Sequence, residues 1–307
     1  MLNKADIVRA YVEKFPKSSN GVLARKLRKD YPGMWATENA ADTVVRRVRG
    51  KQGKLHRTDI KSTHFEDVER SSNPLPCPPS LAEPWEPFVM DIPANVLILS
   101  DLHVPYHAAK AVEVAVRHGV DNGCESLLIN GDLADWYVIS RHMKDPRKPR
   151  LSEEIKILKE FLDWLLPQFP GQKVYKAGNH EERWDHFIWN NAPMFADIEY
   201  MRMSELLGLR ERGCEWVTDQ RVVNFGKLQV LHGHELPKGL TNSVNPARGA
   251  FLRTLHTVLH GHNHRPSTHP EPDMYGSETT CWTTGCLCDK NPEYARINKW
   301  LWGCAIL

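Results

Sequence analysis

Long apolar runs are absent from this chain. No segment approaches the roughly 18 consecutive apolar residues that indicate a membrane-spanning helix. The first residues, MLNKADIVRAYVEKF, also lack the apolar core and the cleavage site of a secretory signal. We therefore expect no membrane association, and a cytoplasmic protein by default.

A paired pattern of cysteines is absent as well. The chain has 7 cysteines, an odd number without the paired spacing of a disulfide framework, and this usage suits a reducing compartment. Cys281, Cys286 and Cys288 lie close together in sequence, and Cys304 follows, but their spacing differs from that of a zinc finger. We interpret them as buried cysteines of core strands rather than as ligands of a further metal.

Neither sign of charge is in large excess, because the formal net charge is only +2. The charges are nevertheless unevenly distributed, with a net charge of +9 over residues 1–61 and −7 over the rest. A length of 307 residues with 41% hydrophobic residues is sufficient for one large core and a second small domain. We predict a basic domain over residues 1–62, a proline-rich linker or strap over 63–94, and a main domain over 95–307.

Five short polar motifs each follow an apolar run in the main domain. They are SDLH at 100–103, GDLAD at 131–135, GNHE at 178–181, LHGHE at 231–235 and HGHNH at 260–264. The preceding runs are typical of buried strands, and such strands deliver their loops to one edge of a sheet, where α/β proteins bind ligands. Since Asp, Asn and His offer oxygen and imidazole nitrogen to divalent cations, the motifs predict one dinuclear metal site.

These motifs, in this order, resemble those of the calcineurin-like metallophosphoesterase superfamily over residues 95–265. The resemblance implies an α/β fold, a β-sandwich of two mixed sheets flanked by helices, here preceded by a small all-α domain. Carried over motif by motif, it implies two ligand sets and a bridge: Asp101, His103 and His264 for one metal; Asn179, His232 and His262 for the other; and Asp132 between them. The family pattern favours His232 over His234 as the ligand of motif four, which leaves His234 to support a ligand or to contact substrate.

The chemistry of this donor set indicates a phosphate substrate. A carboxylate suits the bridge at Asp132 because its two oxygens can span ions about 3.5–4 Å apart. Two divalent cations outweigh Asp101, Asp132 and a bridging hydroxide, so a small positive charge remains in a partly dry cleft. The cations would polarise the phosphate and lower the pKa of a bridging water to about 7, giving a hydroxide for in-line attack. We favour manganese, with iron, zinc or nickel as alternatives.

The leaving oxygen also needs a proton. The resemblance places His180 as the general acid and Asp135 as the carboxylate that orients its imidazole and keeps it protonated. The alternative for His180 is a packing role at the start of a helix. We interpret Glu181 and Glu182 as first-turn charges that stabilise this helix through its dipole.

The basic domain shows the pattern of three short helices. Apolar residues recur at helical spacing from Lys4 to Phe15 and again after Ser19, and a third helix is expected to begin near Thr37. Three helices with a basic last one resemble a helix-turn-helix module, whose last helix would contact nucleic acid. The basic side chains in question are Arg46, Arg47, Arg49, Lys51 and Lys54. A solvated basic face is the alternative, but the concentration of charge favours nucleic-acid contact.

Two further segments bear on function. Residues 71–94 contain 7 prolines, which predicts an extended linker or a strap on the main domain, and Trp85 and Phe88 favour the strap. Residues 141–150 carry a net charge of +4, and Trp136 stands after GDxxD, where protein Ser/Thr phosphatases of the superfamily have a phosphate-gripping arginine. A basic loop beside an aromatic residue suits a phosphodiester chain, through charge and base stacking. We predict substrate contacts at Arg141 and His142, with ordinary surface charge as the alternative.

Three functions compete. The leading hypothesis is a metal-dependent phosphodiesterase or nuclease acting on nucleic acid, with the basic domain supplying affinity. The second is a phosphomonoesterase acting on a phosphoprotein or a nucleotide. The third, a non-catalytic DNA-binding protein, is disfavoured because all predicted ligands and His180 are present. No oligomeric state is predicted.

Overall fold

The structure is a computed structural model that describes residues 3–50, 77–91, 95–218, 220–237 and 244–307. The chain divides into two compact units, Met1–Leu81 and Ala82–Leu307. Lys51 and Lys54, predicted to contact nucleic acid, lie outside the described residues, as does the predicted boundary at residue 62. Among the residues that the structure describes, none of the helices has the length and apolar character that crossing a bilayer requires.

The described part of the first unit is helical. Its helices are α1 (Lys4–Lys14), α2 (Asn20–Asp30) and α3 (Glu38–Arg49). Each follows a residue whose side chain accepts a hydrogen bond from a first-turn amide, and these caps are Asn3, Ser19 and Thr37. Val8, Leu27 and Val45 are fully buried in the core that the helices share. The predicted small all-α domain is therefore confirmed.

A five-stranded sheet carries three of the motifs. Its strands are β2 (Asn95–Leu99), β3 (Cys124–Asn130), β4 (Lys173–Lys176), β5 (Cys214–Val217) and β11 (Ala305–Ile306). The order is β11-β2-β3-β4-β5, with β2 to β5 parallel and β11 antiparallel to β2. The parallel strands bring the loops after β2, β3 and β4 to one edge.

A six-stranded mixed sheet carries the other two motifs. Its strands are β1 (Phe88–Val89), β6 (Val223–Phe225), β7 (Leu228–Leu231), β8 (Val258–His260), β9 (Ser267–Pro272) and β10 (Glu278–Thr283). The order is β1-β6-β7-β8-β10-β9, and β7 and β8, the strands that precede motifs four and five, are parallel neighbours. The predicted architecture of two mixed sheets is confirmed.

Helices flank both sheets. They are α4 (Ala109–Asp121), α5 (Leu151–Leu165), α6 (Glu182–Asn191), α7 (Met203–Leu206) and α8 (Pro246–Thr254). Val96 and Ile98 of β2 pack in the core between the sheets with Val230, whereas Leu97 and Leu99 pack in the core that includes α4 and α5. Each such buried side chain contributes about 1.5–3 kcal/mol. The apolar residues of β2 thus pack into the cores on both faces of the strand and fix the position of the first motif, which follows it.

Part of the proline-rich segment lies as a strand on the second unit. Strand β1 pairs in parallel with β6. Arg221 Nε donates to the Glu86 carbonyl at 2.8 Å, and its guanidinium lies 5.7 Å from the centre of the Phe88 ring. Met90 is 2% exposed and enters the core between the sheets. Residues 86–90 are therefore paired with and packed into the second unit.

Candidate metal centre

The five motifs meet where β2, β3 and β4 of one sheet and β7 and β8 of the other end. His264 Nε2 lies 3.1 Å from Asp101 Oδ1, and His232 Nε2 lies 3.3 Å from Asp132 Oδ2. His103 Nε2 is 3.3 Å from His264 Nε2. The amide of His180, in motif three, donates to Asp132 Oδ1 at 3.0 Å, so the structure brings residues of all five motifs together.

Among the residues that the structure describes, donor atoms of mostly buried side chains form three overlapping groups that could hold a cation. The ligand atoms of each group lie within 4.8 Å of one another, and the groups are His103, His264 and Cys288; His103, Asp132 and His180; and Asp132, His232 and His262. Asp132 belongs to two groups, which is the position that a bridging carboxylate needs. Cys288 is buried, as predicted for a core residue, but it also places its sulfur beside two predicted ligands.

Several acceptor atoms of the predicted ligands lack a hydrogen-bond donor within the described part of the chain, which indicates that cations fit this site. Asn179 Oδ1 is buried and receives no hydrogen bond from the described residues, and a buried acceptor in that state costs about 1–3 kcal/mol. His232 Nδ1 donates to the Asn130 carbonyl at 2.7 Å, so a neutral His232 would direct the lone pair of Nε2 at the Asp132 carboxylate. Two facing acceptors need a proton or a cation between them.

The electrostatics of the cluster favour positive charge. Burial raises the pKa of Asp132, but His232 and His180 outweigh it and hold this pKa well below its usual range. Burial lowers the pKa of His232, yet Asp132 and Asp101 raise it to about 10. The carboxylates therefore create a negative potential that suits two divalent cations. His234 instead donates from Nε2 to Glu182 Oε1 at 2.9 Å, so the structure brings His232, not His234, into the group with Asp132 and His262.

The backbone is shaped for close approach. Five of the seven predicted ligands have φ between 51° and 63°, namely Asp101, His103, Asp132, His262 and His264. Such left-handed residues cost about 1–3 kcal/mol each and persist where the surrounding structure imposes them, commonly at functional sites. A β-carbon at Gly131 would collide with the His232 ring, and one at Gly178 would collide with the Asp132 carboxylate. The two glycines of motifs two and three are thus required by the packing of the ligands.

Comparison with known proteins agrees with this geometry. A family model of calcineurin-like phosphoesterases matches residues 94–297. The chain belongs to the calcineurin-like phosphoesterase family. Membership implies a metal-dependent hydrolase with two divalent cations, and the donor groups around Asp132 fit that requirement.

Curated relatives of this calcineurin-like phosphoesterase include two phage proteins. The Gene 54 protein of Mycobacterium phage L5 is 23% identical over 197 residues, which cover 62% of this chain and 76% of that protein. The Gene 54 protein of Mycobacterium phage D29 is 25% identical over 189 residues, with coverages of 59% and 73%.

Two solved structures are also similar. The Pseudomonas putida nuclease MPE has 14% identity and a TM-score of 0.33, covering 64% of this chain and 76% of that one. A single mutant of Vps29 from Entamoeba histolytica has 12% identity and a TM-score of 0.34, with coverages of 69% and 84%.

Asp135 contacts two histidines of the phosphoesterase centre. His103 Nδ1 donates to Asp135 Oδ1 at 3.2 Å, an arrangement that fixes the tautomer of a metal-binding imidazole. The same oxygen is 3.5 Å from His180 Nδ1, which donates instead to the Asp135 carbonyl at 2.9 Å. The carboxylate predicted to orient His180 therefore lies closer to the predicted ligand His103.

His180 is held at the centre by its backbone and by Arg183. Its amide donates to Asp132 Oδ1 at 3.0 Å. Arg183 Nη2 donates to His180 Nε2 at 2.7 Å, and Arg183 Nη1 donates to the Asp135 carbonyl at 2.8 Å. Burial lowers the pKa of His180 to about 3, and His103 and Arg183 lower it further, whereas Asp132 and Asp135 act to raise it. Sequence reasoning missed Arg183, which lies five positions beyond the start of GNHE.

Glu181 does not act as the helix-dipole charge that was predicted for it. It is 1% exposed, and its carboxylate accepts hydrogen bonds from the amides of Asp132, Ala134 and Gly178 at 2.7–3.2 Å. The Tyr175 hydroxyl donates to Glu181 Oε1 at 2.6 Å. Glu181 thus joins motifs two and three, and the dipole interpretation is wrong for it.

Glu235 fixes motif four in the same way. It accepts hydrogen bonds from the His232 and Gly233 amides at 3.1 and 2.6 Å. Lys176 Nζ, fully buried at the end of β4, lies 2.6 Å from Glu235 Oε1. Glu181 and Glu235 are each the last residue of a motif, GNHE and LHGHE. That shared position is the sequence signal that could have identified both glutamates as supports of the motifs.

Glu181→Gln is expected to weaken metal affinity and turnover by about 10–100-fold, as is usual when a residue supporting metal ligands is changed. Both Glu181 oxygens accept hydrogen bonds, so the amide group of Gln would face donors. Metal titration and steady-state kinetics measure the effect. Glu160→Gln, on the exposed face of α5, is the control, and equal behaviour of the two variants would contradict the supporting role.

Trp136 cannot stack on a base. It is fully buried, its amide donates to Glu154, and its ring lies 5.3 Å from that of Trp184. The predicted aromatic platform is therefore wrong, because the residue serves the core. The two predicted contacts in the following loop, Arg141 and His142, are both exposed, and Arg141 lines a cavity with Arg183.

The described basic residues of α3 differ in their surroundings. Arg49 Nη1 and Nη2 donate to the carbonyls of Ser18, Pro16 and Phe15 at 2.5–3.0 Å. Arg49 thus holds the start of α2 and the end of α1 against α3, which corrects its assignment as a free nucleic-acid contact. Arg46 pairs with Asp42 at 2.7 Å and is exposed, and Arg47 is also exposed.

Proposed function

We propose that this phosphoesterase hydrolyses phosphodiester bonds in nucleic acid. The supporting observation is a cationic cavity of about 290 Å³ beside the metal centre, lined by Arg141, Lys144, Arg183, His186, Asn190 and Asn191 among others. None of the described residues that line it carries a carboxylate. Arg183 belongs both to this cavity and to the contacts with His180 and Asp135.

The cationic cavity suits a polymer better than an isolated phosphate. A nucleic-acid strand carries one negative charge per phosphate, and contacts with neighbouring phosphates position it. A phosphate flanking the scissile one would meet Arg141 and Lys144, whereas a small monoester has no second phosphate. The wider basic loop adds less, because Arg147 pairs with Asp145 at 2.7 Å and Lys148 lies 3.3 Å from Glu293.

The residues of the chain divide the chemistry among them. Bound divalent cations would polarise the phosphate and activate water. Glu181 and Glu235 hold the loops that present the ligands, so the donors need little rearrangement. Arg183 offers a fixed guanidinium for the negative charge that develops on phosphate.

We assign proton delivery to His180. Burial is the main cause of its low pKa, and the adjacent Arg183 guanidinium lowers this pKa further. A phosphate between the two side chains would raise this pKa, because opposite charge favours the protonated imidazole. His180 would then donate to the leaving oxygen.

Diester and monoester substrates test this proposal. With Mn²⁺ supplied, turnover of bis-p-nitrophenyl phosphate is expected to exceed that of p-nitrophenyl phosphate, because the centre and its flanking cations accommodate a bridging phosphate. Release of p-nitrophenol measures both rates. A strong preference for the monoester would support the phosphatase alternative instead. The same assay with Fe²⁺, Zn²⁺ and Ni²⁺ ranks the metals.

A further inference from the structure

We propose that a second cavity at the metal centre, the tyrosine cavity, binds a single nucleobase of the substrate. This inference rests on the proposed action on nucleic acid. The cavity has a volume of about 170 Å³, and its lining includes Tyr106, Tyr137, Tyr294, His103 and Asp135. Since His103 and Asp135 also belong to the metal centre, a group in the cavity lies next to the reacting phosphate.

Two of the tyrosines are fixed in place. The Tyr106 and Tyr137 rings lie 6.2 Å apart and meet at 72°, edge to face. The Tyr137 hydroxyl accepts a hydrogen bond from the Asp145 amide at 2.8 Å. The Tyr106 amide donates to the His103 carbonyl at 2.7 Å, and the Asp289 amide donates to the Tyr106 carbonyl at 2.8 Å. Two aromatic walls are thus held beside a predicted metal ligand.

The third tyrosine is at the open side. Tyr294 is 72% exposed, and its ring lies 6.2 Å from that of Trp300, which in turn lies 4.1 Å from the His264 imidazole. An exposed aromatic ring beside a metal site is available for stacking on a ligand. Stacking of a base on an aromatic side chain is sequence-tolerant and contributes about 1–3 kcal/mol.

The charges of the tyrosine cavity disfavour a second phosphate. Apart from His103, a predicted metal ligand, its lining has two cations, Lys148 and Arg296, and three carboxylates, Asp135, Asp289 and Glu293, which give a formal charge of −1. A neutral ring suits this lining better than an anion, and carboxylates can accept hydrogen bonds from the N–H groups of a base. The cationic cavity has the opposite character.

The size of the tyrosine cavity also limits its ligand. Pockets for drug-sized molecules have volumes of about 300–1,000 Å³. At about 170 Å³, this cavity suits one ring system rather than a whole nucleotide. The two cavities therefore match two parts of a nucleic-acid strand, a base in the tyrosine cavity and a flanking phosphate in the cationic cavity.

Equilibrium binding tests the inference without depending on turnover. Calorimetric titration of the full-length, Mn²⁺-loaded protein compares thymidine 5′-monophosphate with 2-deoxyribose 5-phosphate, which differ by the base alone. We expect the nucleotide to bind about tenfold more tightly. Tyr294→Ala should remove this difference, and Tyr294→Phe should retain it because the ring remains. Tyr275→Ala, which changes another exposed tyrosine on the turn between β9 and β10, is the control.

The possible results separate the two proposals. Equal affinities of the wild-type protein for the two ligands, or a difference that persists in Tyr294→Ala, would overturn the nucleobase assignment and leave diester hydrolysis standing. A second result is possible, in which bis-p-nitrophenyl phosphate is not turned over but the preference for the nucleotide still depends on Tyr294. That result would refute the hydrolytic proposal alone. If neither phosphate binds, the nucleobase assignment falls together with the phosphate site.

Discussion

Asp132→Asn is expected to lower turnover of bis-p-nitrophenyl phosphate by about 10³-fold or more, at the upper end of what the loss of one preorganised electrostatic group costs. Asp132 Oδ2 lies 3.3 Å from His232 Nε2, 3.9 Å from His103 Nε2 and 3.8 Å from His180 Nε2. Asn keeps one oxygen for the His180 amide but loses the charge and the second oxygen. It can therefore no longer join two cations.

Elemental analysis distinguishes a lost bridge from a lost fold. Asp132→Asn should hold fewer than two divalent ions per chain while its circular dichroism spectrum stays that of the wild type. Asp121→Asn, at the exposed end of α4, is the control of equal charge change. Full activity of Asp132→Asn would mean that another group bridges the ions. Wild-type protein that binds no transition metal and stays inert when supplied with it would refute the dinuclear centre.

The sequence predicts the framework of this centre because its signals are local. Apolar runs such as that of β2 indicate strands, and a motif at the end of each strand needs only a parallel sheet to converge with its neighbours. The caps Ser19 and Thr37 likewise mark helix starts within a few residues. For that reason, the fold and the candidate ligands could be predicted from the sequence.

The residues that support the ligands could not be predicted from the sequence, because their hydrogen-bond partners are distant along the chain. Glu181 has the position of a first-turn helix charge, yet it binds an amide 49 residues earlier in the chain. Trp136 follows GDxxD and was expected to lie beside the substrate, but the fold buries this side chain, and the residue that reaches the centre is Arg183 of α6. Arg49 looks like a surface charge until the carbonyls of α1 and the following turn are placed around it.

Arg46→Ala with Arg47→Ala is expected to weaken binding of the full-length protein to duplex DNA and to reduce its salt dependence. Each lost phosphate contact lowers the slope of log affinity against log salt by about one, so the double variant should lose about two. The pair is chosen because both residues are exposed on α3, whereas Arg49 supports the helical unit. Fluorescence anisotropy at several salt concentrations measures the slope.

A control variant that removes two positive charges from another part of the first unit tests whether α3 itself contacts DNA. Arg9→Ala with Lys17→Ala removes two exposed cations from α1 and the turn after it, so an equal loss of slope would indicate general attraction to a basic unit rather than recognition by α3. A chain beginning at Ala82 should lose the basic affinity altogether yet keep turnover of bis-p-nitrophenyl phosphate. It must not begin later, because Phe88 and Val89 form an edge strand and Met90 is buried in the sandwich. Unchanged salt-dependent binding by this shortened chain would refute the nucleic-acid role of the first unit.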